Sequence, residues 1–195
     1  MDIIVIGSHG SGGGVSHLGS VAMKVANLAD RTCVIERKKL LDDKRILIVD
    51  DEPDVLETLE ELLSMCYITK ASSAEKAKEL LETQKYDMAI LDIMGVDGYR
   101  LLELANQRKV IAVMLTAHAL NPEHAVRSYK QGAASYIPKD KMTDISVFLN
   151  DILVAKEKGK HSWWRWLDRF GSFFEEHFGP DWRKREEDFL KDSNQ

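Results

Sequence analysis

The chain has 195 residues, 44% of them apolar and 30% charged, with a formal net charge of −5. That balance belongs to a soluble globular protein with room for one ordinary domain plus extras, and the negative charge argues against a dedicated nucleic-acid binder, which needs clustered positive charge. No apolar run approaches the ~20 residues of a membrane span, and an N-terminus with Asp2 and a very short apolar run is no signal peptide. Cys33 and Cys66 form no CxxC pair and read as small buried hydrophobes in a reducing compartment. A cytoplasmic protein is expected.

Residues 1–40 open with "DIIVIG", a β-branched strand. The loop "GSHGSGGGVSHLGS" follows, then "SVAMKVANLA" with apolar residues near helical spacing, then the strand "TCVIER". Strand, glycine loop, helix and strand make one βαβ unit. Glycines let backbone N–H groups approach a phosphate, and a helix N-terminus adds partial positive charge. The loop is neither a Walker A motif nor a G-x-G-x-x-G fingerprint. A polar stretch, "RKKLLDDK", links this unit to the next region.

Across residues 44–158, the strand-like runs "RILIV", "YITKA", "DMAIL", "VIAVML" and "ASYIP" alternate with amphipathic helical patterns. Pro53 suits a first helical position, and Val55, Leu56, Leu59, Leu62, Leu63 and Cys66 fall on one side of that helix. Ser73, Asp97, Asn121–Pro122 and Thr143 are the starts expected for the others. Five βα units imply a parallel sheet covered by helices on both faces.

The polar residues fall at strand ends. Asp50 and Asp51 follow "RILIV", Asp92 follows "DMAIL", Thr116 follows "VIAVML" and Lys139 follows "ASYIP". In an open parallel α/β sheet those ends line the ligand crevice. Three carboxylates gathered there repel one another, a penalty that a divalent cation such as Mg²⁺ removes. Such a metal also neutralises an incoming phosphoryl group. A carboxylate can attack phosphorus, a lysine supplies a point charge and a threonine hydroxyl a donor. The set therefore reads as a device for capturing a phosphoryl group on an aspartate.

"ILIVDDEPDV", "DMAILDIMGVDGYRLLE", "VMLTA" and "ASYIPKD" resemble the receiver domain of two-component response regulators. The resemblance implies a doubly wound five-stranded flavodoxin-like sheet of order 2-1-3-4-5. It implies that Asp92 accepts a phosphoryl group from a histidine kinase or phosphotransfer protein. It further implies Mg²⁺ held by Asp51 directly, by Asp50 through water, by Asp92 and by the backbone carbonyl of Met94. Thr116 would shift toward the phosphoryl group, Tyr136 would swing inward with it, and Lys139 would pair with the phosphate. The output would be a changed surface on the fourth helix, fifth strand and fifth helix, offered to a downstream protein. Met94 and His118 stand two residues past Asp92 and Thr116, positions that tune dephosphorylation in this family.

The chain departs from the family pattern in three places. "DIMGVDG" is shorter than the usual D-x-x-x-P-x-x-D-G loop and lacks its proline. The span from Asp92 to Thr116 is trimmed. Asp140, not proline, follows Lys139, so a trans peptide is expected and its charge would weaken phosphate affinity.

Residues 1–40 resemble the C-terminal part of a universal stress protein domain, whose glycine loop binds ATP phosphates. Gly7, Gly10, Gly19 and Ser20 match that loop, with the spacer one residue short. The strands that would hold adenine and ribose are missing, so a truncated or remnant module without bound nucleotide is expected. A lone βαβ unit buries too little apolar surface to stand by itself. It would pack on the receiver or on a second copy, which makes a homodimer an expected assembly.

Residues 159–195 hold all four tryptophans, and Trp163, Trp166, Leu167, Phe170, Phe173, Phe174, His177 and Phe178 follow helical spacing. This aromatic-rich helical tail would fold back on its own domain or meet a partner. Its mixed charges are not the basic excess that a lipid surface attracts. The tail shows no helix-turn-helix, so no DNA-binding output is expected. The whole reads as a phosphoacceptor and not an enzyme. The alternatives are an unphosphorylated interaction or dimerisation module and an aspartate-nucleophile phosphatase, although a phosphatase needs D-x-D after the first strand, where this chain has "DDEP".

Overall fold

The computed structural model describes residues 40–117 and 124–159 with their side chains, and the backbone of residues 4–7, 33–36 and 122–123. Strands β1 (Ile4–Gly7) and β2 (Cys33–Glu36) pair in parallel, Ile4 opposite Cys33 and Gly7 opposite Glu36. A parallel pair needs a crossover connection, which agrees with a βαβ unit. Gly10, Gly19, Ser20, the helix expected after them, His118 and the aromatic tail beyond Gly159 lie outside the described residues.

From Arg45 onward strands and helices alternate. Strand β3 (Arg45–Val49) leads to α1 (Pro53–Leu62), β4 (Tyr67–Ala71) to α2 (Ala74–Thr83), and β5 (Met88–Asp92) to α3 (Gly98–Gln107). Strand β6 (Ile111–Thr116) precedes α4 (Pro122–Lys130), and β7 (Ser135–Pro138) precedes α5 (Ile145–Glu157). All five strands are parallel, in the order β4-β3-β5-β6-β7, which is 2-1-3-4-5 counted from Arg45. The doubly wound sheet expected from the sequence is the one observed.

The order explains the side chains. Strand β5 is central, and Met88 through Leu91 are wholly buried, as a strand covered on both faces must be. Strand β4 is an edge, and its Tyr67 is exposed. Helix α1 starts at Pro53 and turns Val55, Leu56 and Leu59 inward, with Leu63 just past its end. Ser73 caps α2 by accepting a hydrogen bond from the Lys76 N–H at 3.3 Å. None of the described helices is long and apolar enough to cross a membrane.

Three expectations change. The stretch read as a linker already belongs to the fold at its end, because Leu41 is buried in the core and Asp43 N–H donates to the Met65 carbonyl. Asp97 starts α3 but does not cap it with its side chain, since it sits in the left-handed region at φ 53°. Thr143 starts no α-helix. Lys139–Asp144 form a 3₁₀ segment, and α5 begins at Ile145, where Ile145 and Leu149 reach the core.

The centre of the sheet carries the packing. Ile90→Ala should lower the unfolding free energy by about 2–5 kcal/mol, because a cavity opens between two helix layers. Urea denaturation read by far-UV circular dichroism measures it.

Candidate functional site

The register brings the polar strand ends to one edge. Val49 lies opposite Leu91, Asp92 opposite Leu115, and Thr116 opposite Pro138. Asp50 and Lys139 therefore leave β3 and β7 at the same edge that Asp92 and Thr116 end. Asp50, Asp92 and Thr116 are buried, while Asp51 stands exposed beside them.

One ammonium organises the group. Lys139 Nζ lies 2.7 Å from Glu52 Oε1, 3.1 Å from Asp50 Oδ1 and 2.8 Å from Asp50 Oδ2, and 3.3 Å from Asp92 Oδ1. Only Oδ1 of Asp50 is aligned for a hydrogen bond. It also accepts the Glu52 N–H at 3.0 Å. Asp50 Oδ2 touches the ammonium as an ion but receives no hydrogen bond, although it is fully buried.

The other oxygen of Asp92 is held by backbone. Met94 N–H and Gly95 N–H donate to Oδ2 at 3.0 and 2.7 Å. The short loop "DIMGVDG" folds to allow this, with Ile93 and Val96 buried and Met94 exposed. Two glycines permit the fit. A β-carbon at Gly95 would overlap the Asp51 carboxylate, and one at Gly98 would overlap the Asp92 carbonyl. Asp97, in the left-handed region that aspartate tolerates better than most residues, turns the loop into α3.

Burial pushes the Asp50 carboxyl above its ordinary value and the nearby Asp92 charge adds to it, while Lys139 and the Glu52 N–H pull the other way without cancelling it. Burial acts to lower the Lys139 ammonium, but the hydrogen bonds to Asp50 and Glu52 and the charges of Asp50 and Asp92 outweigh it and hold it above the usual lysine range. The asymmetry has a simple cause. The lysine gains from three carboxylates, whereas for Asp50 burial outweighs what one ammonium and one N–H return.

Tyr136, opposite Met114 on β7, is fully buried, so the side chain expected to swing inward is inward in this structure. Asp140 is largely exposed and 4.0 Å from Lys141, so its charge is solvated and weakly partnered. Among the described residues there is no cis peptide bond. No three His, Cys, Asp or Glu side chains among them are gathered closely enough to hold a metal. Asp50 and Asp92 are brought together around Lys139, while Asp51 lies against Gly95. The sequence reading passed over Glu52, Gly95 and Gly98. Glu52 directly follows Asp51, and Gly95 and Gly98 lie in the loop between Asp92 and α3, so their signal was nearness in sequence to the strand-end aspartates.

Because the folded Asp50 carboxyl sits above its unfolded value of 3.8, its contribution to stability is full below that value and is lost as pH rises through the folded one. Asp50→Asn should therefore be more stable than the unsubstituted protein near neutral pH without added metal. The difference should vanish as pH falls toward 3.8. Thermal unfolding at stepped pH values measures it, and a variant less stable at pH 7 contradicts the sign.

Comparison with known proteins points to one family. Residues 46–148 match the response regulator receiver domain family. The two-component response regulator ARR12 of Arabidopsis thaliana is 36% identical over 102 residues, covering 49% of this chain and 17% of its own length. The heme response regulator HssR of Staphylococcus aureus (strain Newman) is 36% identical over 99 residues, covering 48% of this chain and 43% of its own. The chain thus spans less than half the length of these curated relatives. A CheY-like receiver domain protein from Methanospirillum hungatei JF-1 superposes with a TM-score of 0.54 at 29% identity, over 60% of this chain and 99% of that one. A response regulator from Chloroflexus aurantiacus J-10-fl superposes at 0.52 with 27% identity, over 57% and 98%. With more than half its length matched, a five-stranded sheet of order 2-1-3-4-5, and an aspartate and a lysine meeting at the strand ends, the chain belongs to the response regulator receiver domain family.

Proposed function

We propose that the protein is a phosphoryl-accepting switch of a two-component phosphorelay, with Asp92 as the acceptor. The observation that carries this reading is the buried Asp92 carboxylate, with Oδ2 fixed by two N–H donors and Oδ1 facing the Lys139 ammonium at 3.3 Å. Oδ1 is the oxygen left to attack phosphorus. The new P–O bond forms as the bond to the donor's histidine nitrogen breaks, and the donor imidazole keeps that electron pair. Lys139 then balances the charge that the phosphoryl oxygens bring. Thr116, at the buried end of β6, is the hydroxyl donor to one of those oxygens, and Tyr136 on β7 follows its movement.

Mg²⁺ fits the residues present. Asp50 Oδ2 is a buried oxygen lacking a hydrogen-bond donor, and Asp51 is an exposed carboxylate next to it. Mg²⁺ takes one or two carboxylates and keeps several waters, so no preformed cluster of three is required. Asp51, Asp50 through water, Asp92 and the Met94 carbonyl are the residues that would hold it. When bound there, it supplies charge neutralisation for the phosphoryl oxygens.

The donor is a histidine kinase or phosphotransfer protein, and the receiver of the signal is a protein surface, with a homodimer among the candidates. The protein serves as a phosphoacceptor in the cytoplasm and not as a turnover enzyme. Residues 1–40 are a universal-stress-protein-like fragment that holds no nucleotide, and the parallel pairing of β1 and β2 supports the βαβ part of that reading. A second reading, an interaction module that is never phosphorylated, draws support from the two N–H groups that already occupy Asp92 Oδ2.

Incubation with a small phosphoryl donor and Mg²⁺, followed by intact mass, distinguishes them. One phosphoryl group should add to the unsubstituted protein, none to Asp92→Asn, and none after chelation of the metal. Lys139→Ala should take up the group at least ~10-fold more slowly, in line with loss of a fixed charge at a phosphoryl-transfer site. An unmodified mass with every donor favours the interaction module, and repeated turnover of a phosphate ester favours a phosphatase.

A further inference from the structure

The nearest partner of Lys139 is a residue that the phosphoryl chemistry does not call for. Glu52 Oε1 lies 2.7 Å from Nζ, closer than either oxygen of Asp50 or the near oxygen of Asp92. Glu52 occupies the N-cap position of α1, where Ser, Thr, Asp and Asn are preferred for their capping hydrogen bond. Its side chain makes no such bond. Its carboxylate turns to the lysine instead, and its backbone N–H turns to Asp50.

The three acids around Lys139 differ in one respect. The side chains of Asp50 and Asp92 are 0% and 4% exposed, whereas Glu52 is 59% exposed. A phosphoryl group on Asp92 brings further negative charge to the same ammonium. The buried acids have nowhere to go. Glu52 can rotate into water at little cost.

We infer that Glu52 is a displaceable holder of Lys139. It pins the ammonium in the unphosphorylated protein and competes with the phosphoryl group for it, so it sets how strongly the site retains that group. Glu52 acts through Lys139 and is a positioning residue. The inference rests on the phosphoryl-accepting reading above.

The test compares the full chain with Glu52→Gln, which keeps the shape and removes the charge, and with Glu52→Asp, which keeps the charge. Beryllofluoride with Mg²⁺ serves as the phosphoryl stand-in, and its half-saturating concentration is read from the rise in unfolding temperature. Glu52→Gln should bind it about two- to five-fold more tightly, the range expected for an exposed ion pair. Glu52→Asp should stay nearer the unsubstituted protein. The gain should shrink at high salt, because the competing charge faces solvent. A merely structural role for Glu52 would lower the unfolding temperature without the ligand and leave the half-saturating concentration and its salt dependence unmoved. Equal or weaker binding by Glu52→Gln overturns the inference alone, provided the unsubstituted protein binds beryllofluoride and is phosphorylated at Asp92. If no variant binds it or takes up phosphate, the phosphoryl-accepting reading and the inference fall together.

Discussion

The site depends on one ammonium placed among three carboxylates at the end of a buried parallel sheet. Two of those acids, Asp50 and Asp92, are out of water. A buried carboxylate without a partner takes up a proton or destabilises the fold. Lys139 gives both of them an ionic partner, and it does so from 89 positions further along the chain than Asp50. The strand order makes this cheap. β3 and β5 are neighbours, and β7 lies two strands from β5, so a long side chain after Pro138 spans the remaining distance. Burial still leaves Asp50 displaced upward, which marks the group as under-compensated and open to a further positive charge.

The loop after Asp92 adapts the site to a shorter connection. Two N–H groups of this loop, those of Met94 and Gly95, hold the Asp92 carboxylate. Gly95 and Gly98 let backbone pass where a side chain would strike the Asp51 carboxylate or the Asp92 carbonyl. Asp97 carries the turn into α3 through its left-handed backbone.

Directly beyond that loop, Tyr99 ties α3 to α4. Its hydroxyl is 3.0 Å from His124 Nδ1 and donates to the His124 carbonyl at 3.2 Å, and Arg127 stacks over its ring at 3.8 Å. The start of α3 and α4 are thus joined by a polar cluster one residue past Gly98.

Much of this was readable beforehand, for reasons that differ by element. The buried runs "RILIV" and "DMAIL" announced strands because a sheet covered on both faces tolerates only apolar residues, and Pro53 and Ser73 announced helix starts through local backbone chemistry. Strand ends were displaced by about one residue, because Asp92 and Thr116 still make ladder contacts and a hydrophobicity pattern stops at the last apolar residue. Leu41 read as linker because its neighbours are charged, and only its burial shows that it packs. That Asp50, Asp51, Asp92, Thr116 and Lys139 gather at one edge was legible in the sequence, since each stands at or just past the end of an apolar run and parallel strands end together. Tertiary structure alone decided which acid Lys139 holds most closely, that Glu52 turns from its helix to the lysine, and that Gly95 must stay bare beside Asp51. Those facts depend on side-chain distances across separate strands and loops, and such distances leave no periodic trace along a chain.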